Sequence, residues 1–226
     1  MDFTQLQSDQ PLLQDLIVVL YRYDPDADNK EAFSAEHFIA QTSDNTNDKQ
    51  FVFGVWQQIL EKRLLDGISV LEIWTDGGPK HFKIRSVLHF YAFMALDHSA
   101  IRVYRYNFFV ENHGHSVCDG AAGQFKKRLL NVRLTGNLIL KDGAAVAEIA
   151  KQVKNHSGTV ARRQEDEIDD DLLSPMDGMK SYYCYHFYPL DRSLVEVWAF
   201  KYSSDAELPN AVPAKIFTID VGLFER

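Results

Sequence analysis

Only two cysteines, Cys118 and Cys184, occur in 226 residues, too few for a disulfide framework. That scarcity fits a reducing, intracellular compartment. Long apolar runs are missing as well. The longest, near Val87 to Leu96, is interrupted by His89 and is too short to cross a bilayer. Met1 is followed at once by Asp2, with neither the basic nor the apolar region of a secretory leader. There is no internal repeat and no low-complexity tract. What remains is 46% hydrophobic and 25% charged, the balance of a soluble globular protein. The length suits one sizeable core, or one domain with a small appendage.

The net charge of −8 argues against a protein that coats nucleic acid nonspecifically. Its distribution is uneven. Between Asp76 and Arg133 nine Lys/Arg stand against four acids, 9 − 4 = +5, leaving −13 for the remainder. A basic centre in an acidic chain is a polyanion footprint or simply a solvated helix surface.

The pattern predicts strands at 14–23 and 37–42, with the end of an earlier one near Asp2. Asp24-Pro25 marks the turn between the first two. Phe51, Val55 and Ile59 give helical spacing up to Asp66-Gly67. Val70 to Thr75 reads as a strand buried on both faces. A buried helix over 83–96, a strand over 101–110 and helices over 118–132 and 144–154 follow. Residues 156–177 are polar, include Glu165 to Asp171, and read as an acidic linker. Beyond it, alternating strands predict a small antiparallel β appendage over 178–226. The expected division is therefore a core at 1–155, a linker at 156–177 and the appendage. The core is expected to be α/β, a mixed five-stranded sheet flanked by helices.

Two polar, glycine-rich turns stand out. Trp74-Thr75-Asp76-Gly77-Gly78 ends one strand, and Cys118-Asp119-Gly120 opens a basic helix. Aspartates there offer the oxygen ligands that Mg²⁺ or Mn²⁺ prefers. Glycines leave room for a phosphate backbone, and the helix start offers free N–H groups. The same residues also serve as caps and turns, so spacing alone does not decide. His113, His115 and Cys118, or Cys184 with His186, are incomplete zinc sets. Cys118 beside His115 is a weak candidate nucleophile, since thiols at helix starts are commonly inert. Trp74, Phe108 and Phe109 read as core.

The motifs occur in a definite order: Trp74-Thr75-Asp76-Gly77 with Phe82-Lys83, Asn107-Phe108-Phe109, His113-Gly114-His115, Asp119-Gly120, then Gly123 with Lys126. In that order they resemble the RNase H-like catalytic domain of DDE-type transposases and retroviral-type integrases. A group of eukaryotic transposon-derived proteins is the nearer likeness. It is dense over about 60 residues and loose over roughly 1–150. His115 stands where a lysine is common in that group. The only candidate for the first-strand aspartate is Asp2, so that strand is expected to be truncated.

The resemblance implies that Asp2, Asp76 and Asp119 hold two Mg²⁺ or Mn²⁺ ions for an in-line phosphodiester displacement on DNA. It implies that His113 and Lys126 contact phosphate or orient the nucleophile. Lys80, Lys83, His115, Lys126 and Lys127 are the expected nucleic-acid contacts. DNA is the expected partner, with a homo-oligomer as a further expectation, no membrane, and an intracellular, nuclear location. The alternative is a catalytically inactive, transposon-derived remnant that binds nucleic acid or protein. The strands beyond Asp177 carry Tyr182, Tyr183, Tyr185, Trp198 and Tyr202. They are expected either to form an accessory surface for DNA or a partner subunit, or to cover the core.

Overall fold

The computed structural model describes residues 14–23, 33–42, 49–75, 82–97, 101, 103–109, 117–135, 143–160 and 170–222. The elements are β1 (Gln14–Tyr23), β2 (Phe33–Thr42), α1 (Lys49–Glu61), β3 (Val70–Thr75), α2 (Arg85–Asp97) and β4 (Val103–Phe108). After them come α3 (Val117–Thr135), α4 (Gly143–Ala150), β5 (His156–Val160), β6 (Cys184–Pro189), β7 (Leu194–Phe200), α5 (Ser203–Ala206) and β8 (Lys215–Asp220). The α/β class expected from the sequence is present, but the strands form two mixed sheets, ordered β1-β2-β5 and β3-β4-β6-β7-β8. The expected single core sheet is therefore divided. Two compact units contain them, and the chain enters each more than once. The first comprises Met1–Asn47, Gly54–Gln58 and Gly114–Gln164, and the second the remainder.

In the first unit β1 and β2 form the antiparallel hairpin that the Asp24-Pro25 turn predicts, and β5 adds parallel to β2. Alternation puts Ile17, Ile39 and Gly158 on one face, because residues two apart share a face. That face is closed by α3 and α4: Ile39, Phe125, Val146 and Ala150 form a core, with Ile17 and Leu129 packed against it. Gly158 permits the close approach. A Cβ there would overlap the Ala147 carbonyl and its neighbouring backbone atoms. On the other face Phe38 and Ala40 are fully buried, and Thr159 donates to Gln58 of α1 at 3.1 Å. β5 lies inside the stretch read as a linker. His-Ser-Gly-Thr-Val has little apolar signal, and its glycine is there to pack against α4.

In the second unit β3 and β4 pair parallel, and α2 makes the crossover between them. β6, β7 and β8 then continue the sheet from β4 as an antiparallel meander. The region expected to be an appendage is thus the larger part of this sheet. The inner face carries Ile73, Tyr104, Tyr106, Tyr185, Phe187, Val195, Val197 and Ile219, all buried. Tyr91 of α2 packs edge-on against Tyr106 and tilted against Tyr104, with centroids 4.5 and 6.1 Å away. β3 is an edge strand with alternating burial, not the doubly buried strand its composition suggests. Trp74 consequently points outward and is 43% exposed, which corrects its assignment to the core. α1 ends at Glu61, earlier than Asp66-Gly67. Arg63 already has φ 56°, and the Leu64 amide bonds the Ile59 carbonyl, so the helix closes on a left-handed residue.

Candidate functional site

Two stretches carry the sequence-predicted residues, one in each unit. In the second unit it is the carboxyl end of β3 and β4. In open α/β sheets ligands bind outside the carboxyl ends of the strands. Thr75 is the last residue of β3 and immediately precedes Asp76 in the chain. Its hydroxyl donates to the Tyr106 phenol at 3.0 Å. The phenol in turn donates to the Phe82 carbonyl at 3.1 Å, one residue before Lys83. Thr75 also accepts from the Phe109 amide at 2.9 Å.

Lys83 is 5% exposed. Its ammonium lies 3.7 Å from the centroid of Tyr183 and 5.0 Å from that of Phe108. A cation over two ring faces is held by their quadrupoles, so this lysine is part of the interior. Tyr183 comes from the segment leading into β6, and its carbonyl accepts from the Phe108 amide at 2.8 Å. The tyrosines beyond Asp177 divide between burial and exposure. Tyr185 is fully buried, Tyr182 and Tyr183 are half-buried with Trp198, and Tyr202 is 44% exposed.

In the first unit the stretch is the start of α3. Asp119 is exposed in its first turn, where a carboxylate faces the positive end of the helix dipole. Side chains at Gly120 and Gly123 would meet nothing within 4 Å, so this side of the helix is open. Lys126, Lys127 and Arg128 are exposed further along, and Arg128 donates to Gln152 at 2.6 Å. The buried face is Ala121 and Phe125, four residues apart. Burial raises the Cys118 thiol above its ordinary pKa, with Asp119 adding to the rise against a backbone bond at Val19. A thiol so raised is a poor nucleophile at neutral pH.

Asp2, Asp76, Lys80, His113 and His115 lie outside the described residues. Among the described residues no three His, Cys, Asp or Glu converge as a metal-binding group. Cys184 and His186 share the outer face of the second sheet. Burial pushes the Cys184 thiol up to about 12 and holds His186 down at about 4, so both are neutral at pH 7.

Sequence reasoning missed a histidine pair. His37 and His156 are register partners across β2 and β5, with Nδ1 of His37 3.3 Å from Nε2 of His156. His156 Nδ1 lies 2.8 Å from the Lys154 carbonyl, so it carries the proton there. In the neutral pair His37 Nδ1–H then donates to His156 Nε2. Burial, then the neighbouring His156, lowers the His37 pKa. Nothing in the local sequence could have joined residues 119 apart.

No curated protein matches the chain, and no solved structure matches it. Residues 18–174, more than half of the chain, match the family model of a domain of unknown function, DUF8701, and the chain belongs to that family.

Proposed function

We propose that this chain is a DDE-type, transposase-derived protein with an RNase H-like core, acting on DNA by metal-dependent phosphodiester cleavage or strand transfer. The observation that carries the reading is the parallel β3–α2–β4 unit, whose carboxyl edge ends on Thr75 with Asp76 next in the chain. The order of a hairpin, a helix, this unit and then a basic helix opened by Asp119 supports it further. The division into two sheets does not follow from an RNase H-like core.

Asp119 is an exposed carboxylate in the first turn of α3, an oxygen ligand of the kind Mg²⁺ or Mn²⁺ takes. The resemblance assigns the metal to Asp2, Asp76 and Asp119, and of these Asp119 alone lies among the described residues. Bound there, Mg²⁺ supplies charge stabilisation and an activated oxygen nucleophile. In this reading His113 orients the nucleophile, and Lys80, His115, Lys126 and Lys127 neutralise phosphates. Lys83, buried under two rings, adds fixed positive charge.

A second reading, a noncatalytic DNA-binding module, is favoured by the exposed Lys126, Lys127 and Arg128 on α3. One experiment separates the two: incubation of the full chain with labelled duplex DNA and Mg²⁺. Asp76→Asn and Asp119→Asn are each expected to lower cleavage at least about 100-fold while DNA binding persists. Lys126→Glu with Lys127→Glu should weaken binding and reduce its salt slope by about 2. Binding without Mg²⁺-dependent cleavage selects the module, and neither binding nor cleavage rejects both readings.

A further inference from the structure

We propose that His37 and His156 bind a divalent transition-metal ion, of the Zn²⁺, Ni²⁺ or Cu²⁺ class, that fastens β5 to β2. Both histidines belong to the first unit, and the site uses none of the carboxylates of the catalytic reading. His37 Nδ1 and His156 Nε2 are 3.3 Å apart. Two imidazole nitrogens on one tetrahedral Zn²⁺, each ~2.0–2.1 Å from the ion, stand about 3.4 Å from each other. The separation is therefore that of two ligands on one ion. Imidazole is also the side chain that all three of these metals accept.

The far nitrogen of His156 carries the argument further. Its Nδ1–H donates to the Lys154 carbonyl at 2.8 Å, which leaves the lone pair on Nε2, the nitrogen beside His37. A backbone carbonyl behind a metal-binding histidine fixes its tautomer and ring in this way. His156 is buried, and the half-buried His37 gives the ion its way in. The rings meet edge to face at 85°, so the His37 ring turns as the ion binds. His37 stays neutral: its proton passes from Nδ1 to Nε2, and Nδ1 becomes the ligand. Among the described residues no third His, Cys, Asp or Glu joins the pair. The Ala121 carbonyl, 3.4 Å from His156 Nε2, and water take the remaining positions, so the ion is exchangeable. The two ligands are 119 residues apart and meet only in the folded unit, so the ion stabilises that fold.

The test is calorimetric titration of the untagged full chain with ZnCl₂ and with NiCl₂, at neutral pH in millimolar Mg²⁺. Urea unfolding read at Trp56, in the same unit, is the second readout. One ion per chain should bind despite the Mg²⁺, and the urea midpoint should rise with Zn²⁺. His37→Asn and His156→Asn should each lower the affinity at least about tenfold and remove the rise. If His156→Asn folds poorly, the half-buried His37→Asn decides alone. His186→Gln, in the other unit, is the control and should change neither readout. A wild-type chain that takes up neither ion overturns the proposal. So does binding that His37→Asn leaves intact, or that His186→Gln weakens as much. None of these failures touches the Mg²⁺ reading, which concerns carboxylates, and loss of that reading leaves the histidine site standing.

Discussion

The two units solve the same problem, burying the faces of a sheet, with opposite use of the chain. In the first, the hairpin β1–β2 is local but its third strand, β5, comes from far along the sequence. In the second, β6 also joins β4 from far along the chain, but β7 and β8 then follow it in sequence order, β7 through a short turn and β8 after α5. The first sheet depends on one long-range docking event, made possible by a glycine. The second depends on a large apolar face with many contributors. The first should therefore be fragile to a single atom, and the second only to loss of whole strands.

Removing residues 178–226 is the harshest way to break the comparison. Tyr185, Phe187, Val195, Val197 and Ile219 leave the inner face at ~2 kcal/mol each, or about 10 kcal/mol as an upper estimate. That equals the whole stability of a typical domain, so amide protection in β3 and β4 should vanish in hydrogen exchange. Retained protection would show that β6–β8 are dispensable.

Gly158→Ala should cost about 3 kcal/mol, because backbone at Ala147, not a flexible side chain, must yield. The loss should register in urea unfolding followed at the buried Trp56, with Trp74 and Trp198 reporting on the other unit.

A gentler perturbation is acid. Burial holds His89 and His186, both in the second unit, at about 4. Their folded pKa values lie below the 6.5 of free imidazole, so between pH 6.5 and 4 the unfolded chain binds more protons. Stability is full above that window and falls as the pH drops through it, by at most ~3 kcal/mol for each histidine. His186→Gln should flatten part of the slope in urea midpoints read at Trp198. His37 shifts the same way in the first unit, so a slope that appears only there would break the assignment.

Local elements were legible because local chemistry makes them. β1 and β3 fall on the expected residues, and α2, α3 and α4 begin within two residues of theirs. Partner choice was not legible. β5 is five residues with a glycine and a histidine, chosen for what α4 and His37 require of it. The antiparallel nature of β6–β8 could be read from alternation, but their attachment to β4 could not. It depends on Tyr106 meeting Tyr185 across the ladder. Thr75 ends a strand in the second unit and Asp119 lies in the first turn of a helix in the first, as their motifs imply. The burial of Lys83 was hidden, since the ring of Tyr183 that covers its ammonium is distant in sequence.

The parallel docking of β5 on β2 also sets a clock. Its partners are 119 residues apart at His37 and His156. A ribosome adding roughly 5–20 residues per second leaves β2 waiting on the order of ten seconds for its neighbour. Throughout that interval the hairpin offers an unpaired row of amides and carbonyls to any extended segment nearby. The nascent chain between β2 and β5, more than the finished protein, is where pairing errors arise. Slower initiation or cooler expression should raise soluble yield by thinning the crowd of half-made hairpins.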